Sequence, residues 1–187
     1  MSIENLSRIL IPPLSPIEAG RQEEWDSIEE RLGIKFPTDY HDFITTFGTG
    51  YVGDFIWIFN PFAQKPTMNL LKQIPIRIGA LKEIKQQFPS DVPFALFPEG
   101  ECLLPCGATG NGDCLYWLTK GSPDKWPILV NESRGPDWET FDMQLTDFLA
   151  RILKREIVCN IFPPDFPNKK TRSIREVKNA QLFRIKH

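Results

Sequence analysis

Residues 105–117 read PCGATGNGDCLYW, with Gly107, Gly110 and Gly112 crowded directly ahead of an apolar run. Two structures place glycines this way: a loop that cradles phosphate, and a turn between two antiparallel strands. The choice between them decides the fold class. A phosphate loop requires a helix N-terminus immediately after the glycines, or a Lys-Ser/Thr pair. Here DCLYWL (113–118) follows, with no lysine before Lys120. ECLLPC (101–106) precedes and also reads as a strand. Asn111-Gly112 is the favoured pair of a tight hairpin turn, in which both central residues take φ > 0. The stretch is therefore expected to be a hairpin, with Gly112 required by its backbone.

Working outward, FALF (94–97) and PILVN (127–131) read as further short strands. DFIWIFN (54–60) is apolar on both faces, as in a strand covered on both sides. Helices are signalled by apolar residues three and four apart. Trp25, Ile28 and Leu32 form one stripe, with Glu23, Glu24, Glu29 and Glu30 opposite; Ser15-Pro16-Ile17-Glu18 reads as a capping box at its start and Gly33 as its stop. In the next helix Pro37 suits the first turn, Asp39 faces the positive end of the helix dipole, Tyr40, Phe43, Ile44 and Phe47 form the stripe, and Gly48 ends it. His41 lies off that stripe and reads as an ordinary exposed histidine. Beyond a loop over residues 60–69, Ile78, Leu81, Ile84 and Phe88 suggest a helix ended by Pro89. Leu145, Phe148, Leu149, Ile152 and Leu153 suggest the last core helix. Two helices, a strand, a helix, several strands and a helix make an α+β order.

The chain has 187 residues, 41% of them hydrophobic, with 14 Phe, 5 Trp and 3 Tyr, enough to fill one domain's core without cross-links. Neither a secretory leader nor a membrane span of about 20 apolar residues is read, so a soluble, cytoplasmic protein is expected. Cys102, Cys106, Cys114 and Cys159 contain no C-x-x-C pair, and the histidines are His41 and His187. The cysteines thus read as buried thiols, and no metal or cofactor is expected. Residues 1–150 carry 12 basic and 21 acidic side chains, a net −9, and residues 151–187 carry 10 basic and 3 acidic, a net +7. An acidic body argues against nucleic-acid binding. The asymmetry reads either as solubility with a solvated tail or as an acidic surface that meets a basic partner. The tail FPPDFPNKKTRS is proline-rich and basic; after it, Ser173 to Glu176 could cap a short helix and QLFRI (181–185) could add an edge strand.

No G-x-S-x-G, H-E-x-x-H or Walker loop is present, and no histidine pairs plausibly with a cysteine. A non-enzyme is expected, with no catalytic residue. In GPDWETFD (135–142), Asp137, Trp138, Glu139 and Asp142 are read as sharing a loop. One reading makes Trp138 a core plug and the acids solvated. The other makes Asp137, Trp138 and Glu139, with Asp54 and Asp113 from neighbouring strand ends, a partner-binding patch.

WDSIEERLGIKFPTDYHDFITTFGTG (25–50) carries Trp25, Glu29, Leu32, Gly33, Phe36, Pro37, Asp39, Tyr40, Phe43 and Gly48, and LFPEGECLLPCGATGNGDCLYWL (96–118) carries the hairpin with Gly112. Together these resemble the SUKH superfamily, which takes in the fungal Smi/Knr cell-wall regulators and many bacterial toxin-immunity proteins. The resemblance implies a single α+β domain, 15–158, with a bent, mainly antiparallel β-sheet and helices packed around it. Residues 159–187 form a basic C-terminal extension beyond the pattern. Trp25, Leu32, Gly33, Pro37, Tyr40, Phe43, Gly48 and Gly112 would be its structural residues. The implied function is a cytoplasmic immunity protein that neutralises a cognate toxin by stoichiometric binding, and the acidic body adds the expectation of a basic, nuclease-type toxin. The alternative is a non-inhibitory regulatory interaction module. Neither nucleic acid nor membrane is an expected partner.

Overall fold

In the computed structural model, which describes residues 3–167, 181–183 and 185, the glycine-rich stretch is a hairpin near the middle of the sheet. β4 (Cys102–Thr109) and β5 (Cys114–Leu118) pair antiparallel, and their register shifts between Pro105 and Gly107, where the proline cannot donate to the ladder. The strand runs three residues further than its apolar run suggested. Gly112 takes φ +97°, whereas Asn111 stays at negative φ. The expected turn with two left-handed residues is therefore corrected to a three-residue loop closed by one left-handed glycine. Asn111 can keep the conformation natural to an L-residue, and the Thr109 Oγ1 accepts its N–H at 3.3 Å.

Among the described residues the sheet has eight strands. Its order is β7 (Trp138–Phe141), β6 (Ile128–Asn131), β5, β4, β2 (Ile56–Ile58), β1 (Gly50–Val52) and β8 (Gln181–Phe183), with β3 (Ala95–Leu96) beside β4 off this path. Pairing is antiparallel except for β1 with β8 and β3 with β4. The expected edge strand in QLFRI is β8. The expected cap at Ser173 to Glu176 lies outside the described residues. GPDWETFD is corrected from a loop to the edge strand β7, because Trp138 to Phe141 register against Asn131 to Ile128.

Among the described residues five helices pack around this sheet: α1 (Ile3–Ser7), α2 (Gln22–Leu32), α3 (Thr38–Phe47), α4 (Leu70–Gln87) and α5 (Leu145–Leu153). α2 starts later than the Ser15 box implied. Gly20 sits against the Phe62 ring, where a Cβ would come within 2.1 Å, and Glu18 has φ +57°. The strap before α2 is instead held by Ile17 O, which accepts the Thr49 N–H at 3.0 Å, and by the Glu18 carboxylate, which accepts the Gln64 N–H at 2.9 Å. The box residue of α2 is Glu24, on which the Arg21 N–H closes at 2.8 Å. Gly33 ends α2 at φ +68°. Pro37 caps α3 from outside the helix, and the first helical N–H, of Thr38, goes to Asp124 Oδ1 at 2.7 Å.

Trp25, Tyr40, Phe43, Ile44 and Phe47 are buried as their spacing requires, and Leu32 is half-buried against the same core. The Tyr40 hydroxyl donates to Phe59 O at 2.5 Å and pins α3 to the end of β2. At Gly48 a Cβ would stand 2.1 Å from Ile17 O, so the strap can cross there only over glycine. α4 begins eight residues before Ile78, capped by Asn69, whose Oδ1 accepts the Lys72 N–H at 3.1 Å. Ile78 and Leu81 are buried, but Ile84 and Phe88 are exposed. α5 buries Leu145, Phe148, Leu149, Ile152 and Leu153. The one core draws on residues outside 15–158 as well: Leu6 and Leu10 from the N-terminal side, and Cys159, Phe162 and Phe183 from the C-terminal side.

Candidate partner-binding site

The antiparallel order brings three turns to one end of the sheet: β1–β2, β4–β5 and β6–β7. Asp54, Asp113 and Asp137 each occupy one of them. Strands lie about 4.8 Å apart, which sets the Asp54 and Asp137 turns roughly 19 Å apart along this edge. That is too far for one contact, yet within the width of a single protein interface.

The five acids and aromatics of the candidate patch do not share one role. Asp54 is exposed, at φ +65°, a conformation aspartate tolerates better than most side chains. Asp137 is exposed too, held in place by its backbone O, which accepts the Glu132 N–H at 3.0 Å. Of the other three, Asp113 is corrected from the surface to the interior, while Trp138 and Glu139 are half-buried with contacts inside the fold. Asp113 is only 2% exposed; its carboxylate accepts the Thr109 hydroxyl at 2.8 Å and the Ser133 N–H at 3.1 Å, and so ties the β4–β5 turn to the β6–β7 turn. Trp138 is half-buried between Phe94 and Tyr116, and its indole N–H is spent on Asp91 O at 2.8 Å. Glu139 accepts the N–H groups of Asn160 at 2.6 Å and Ile161 at 3.2 Å, fastening the 159–162 segment to the edge strand. These side chains are already engaged inside the fold, which leaves Asp54 and Asp137 as the surface members.

Other titratable groups are likewise committed. His41 is corrected from an exposed residue: its ring stacks on Trp25 at 4.0 Å, and its Nε2 lies 3.0 Å from Glu29 Oε1. Glu29 is corrected from the solvent face of α2 to the interior, where it also accepts Lys35 Nζ at 2.6 Å and the Phe36 N–H at 2.9 Å. The connection through the left-handed Gly33 makes side-chain neighbours of positions 25, 29 and 41. All four cysteines are free and buried. Burial pushes the Cys114 thiol up to about 11 and Cys159 up to about 12, and raises Cys102 and Cys106 as well, so these thiols are protonated at neutral pH.

Beside the turns, α4 and the sheet enclose an open cleft of about 450 Å³. Arg77, Ile84, Asp91, Tyr116, Glu132 and Arg134 are among its walls. Arg77 is half-buried; its Nε donates to Gln73 Oε1 at 3.2 Å and its Nη1 to Gly112 O at 3.4 Å. The sequence reading passed over Arg77. Its signal is the run Gln73, Arg77, Ala80, Ile84, which continues at helical spacing directly beside the buried Ile74, Ile78 and Leu81.

No helix among the described residues is long and apolar enough to cross a membrane. Neither a curated protein nor a solved structure matches the chain. Residues 22–149, more than half of the chain, match the family SUKH_6, described as SMI1-KNR4 cell-wall. With the two-helix entry, the left-handed stops at Gly33 and Gly48 and the central hairpin in place, the chain belongs to the SMI1-KNR4 family and through it to the SUKH superfamily.

Proposed function

We propose that the chain is a cytoplasmic immunity protein that neutralises a cognate toxin by stoichiometric binding, making and breaking no bond. The observation that carries this reading is the SUKH fold joined to a net −9 over residues 1–150, with Asp54 and Asp137 exposed at one end of the sheet. The engaged state of its reactive groups supports a binding role: the thiols are buried and protonated, and His41 is held between Trp25 and Glu29. A nuclease-type toxin is basic around its substrate groove, and carboxylates that project from rigid turns can occupy the positions of phosphates there. The field of the acidic body also speeds encounter with such a partner.

The reading predicts a toxin gene encoded beside this one, and the test is binding to the product of that gene. Wild-type protein is expected to form a one-to-one complex and abolish toxicity. Asp54→Lys with Asp137→Lys is expected to slow association on the order of tenfold at low salt, with a smaller effect at high salt. A double variant that associates at the wild-type rate at both salts would remove the acids from the interface. Absence of any complex would move the chain to the non-inhibitory module reading.

A further inference from the structure

We infer that the cleft beside α4 is a carboxylate-binding site that receives an acidic side chain from an extended segment of a partner protein. The site rests on Arg77. Its guanidinium spends one N–H on Gln73 and one on Gly112 O, and no ion pair engages it among the described residues. Three N–H groups thus remain, in the planar fork that matches a carboxylate. A second arginine, the exposed Arg134 of the β6–β7 turn, also lines the cleft.

Two carboxylates, Asp91 and Glu132, also line the cleft, and neither forms an ion pair with Arg77 or Arg134 among the described residues. Asp91 Oδ1 accepts the Ser90 hydroxyl at 3.2 Å. Glu132 is folded back over its own turn, where a Cβ added to Gly135 would come 2.2 Å from Oε2. α4 as a whole is a cationic element of an acidic body, with Lys72, Arg77, Lys82 and Lys85 against the single carboxylate Glu83, and Arg77 is the charged residue that it contributes to this cleft. The complement to this helix is acidic, opposite in sign to what Asp54 and Asp137 attract.

The occupant is a protein segment because the cation does not stand alone. Ile76 and Ile84 on α4 and Phe88 directly after its end are 59%, 42% and 56% exposed, and Ile84 also lines the cleft. A free anion would leave that apolar shoulder wet. A peptide laid along α4 covers it while a carboxylate reaches Arg77, the arrangement of an arginine anchor ringed by apolar contacts. The volume of about 450 Å³ suits one side chain and its flanking backbone.

This inference rests on a protein-binding role, but its test needs no toxin. The full chain is titrated with the peptide acetyl-Glu-Leu-Glu-Leu-Glu-amide while backbone amide signals are followed by NMR. Saturable shifts at Gly112, Ser133 and Arg134 are expected, with a dissociation constant about millimolar. The same peptide with glutamine for glutamate is expected to bind about tenfold more weakly, and so is Arg77→Gln. Ala80→Glu changes an exposed helix position one turn from Arg77 and supplies an internal carboxylate; it is expected to keep the wild-type melting temperature and abolish peptide binding. Equal binding of the glutamine peptide, undiminished binding to folded Ala80→Glu, or tighter binding of inorganic phosphate than of the peptide would each overturn the proposal. So would the absence of saturable shifts. Such a failure would remove the cleft alone and leave the neutralising role to the experiment on Asp54 and Asp137.

Discussion

Asp39 Oδ2 accepts the backbone N–H of Thr146 at 2.7 Å, so a carboxylate from the first turn of α3 caps the N-terminus of α5 across 107 positions of chain. α3 is capped in turn from outside, by Asp124. One N-terminal N–H of each of these two helices is thus satisfied by a distant part of the fold, which couples α3, α5 and the β5–β6 connection.

Burial lifts the Asp39 carboxyl above its ordinary value, with the Thr146 contacts offsetting this only in part and the charges of Asp124 and Asp42 adding to the rise. The folded chain therefore holds this proton more tightly than the unfolded chain. The group favours the fold most below pH 3.8, and the contribution is lost as pH rises through the raised folded value. Asp39→Asn retains the acceptor without the charge, so its stability relative to wild type is expected to increase from pH 3 to pH 7. Asp39→Ala leaves the Thr146 N–H unpaired and is expected to cost about 1–2 kcal/mol. Urea titrations of the three proteins across this pH range check both trends.

Glu29 runs the opposite way. Burial raises its carboxyl, but the bonds from Lys35, the Phe36 N–H and His41 outweigh it and hold the group below its ordinary value. Its contribution is present above pH 4.5 and is lost as pH falls through the folded value. Glu29→Gln is expected to cost about 1–3 kcal/mol at pH 7. That difference should shrink toward zero in acid, which denaturant titrations at pH 7 and pH 3 would show. A pH-independent loss would mean that the carboxylate acts only through its shape.

Trp25 is 3% exposed and touches Phe36, Tyr40 and Phe62 edge-on, with the His41 ring stacked on its face. Trp25→Ala is expected to cost about 3–5 kcal/mol, read as a sharp fall in melting temperature. Wild-type stability with lost partner binding would instead place this indole at an interface.

Gly112 tests the turn. A Cβ there would lie 3.4 Å from Ser133 Cβ, an ordinary contact, so the cost of a side chain comes from φ +97°. Gly112→Ala is expected to lose about 1–2 kcal/mol and Gly112→Val more. ATP and GTP are expected to give no thermal shift, since β5 follows the glycines where a phosphate loop would present a helix. Stabilisation by either nucleotide would contradict the hairpin assignment.

Periodicity carried most of the architecture. The stripes through Trp25, Tyr40 and Leu149 show which side of each helix turns inward, because hydrophobic burial acts on a face and needs no knowledge of what lies opposite. Gly33, Gly48 and Gly112 were legible because left-handed backbone restricts the residue locally. The start of α2 was misplaced because Ser15 and Glu18 have the right spacing for a box, whereas Gly20 and Phe62, 42 positions apart, decide the path of the chain.

The candidate site was legible only in part. Residue type and turn position suffice to put Asp54 and Asp137 on the surface. Asp113, Trp138 and Glu139 have the same composition signal and a different fate, because Ser133, Asp91 and the 159–162 segment supply partners whose position depends on strand register. Arg77 gains its place only when α4 crosses the sheet beside the turns. By itself the sequence determined the fold class, the core faces and the left-handed stops, all of which follow from local geometry and burial. Tertiary structure alone decided which polar groups are spent inside the fold and which remain for a partner, because a hydrogen bond depends on two groups meeting within about 3 Å.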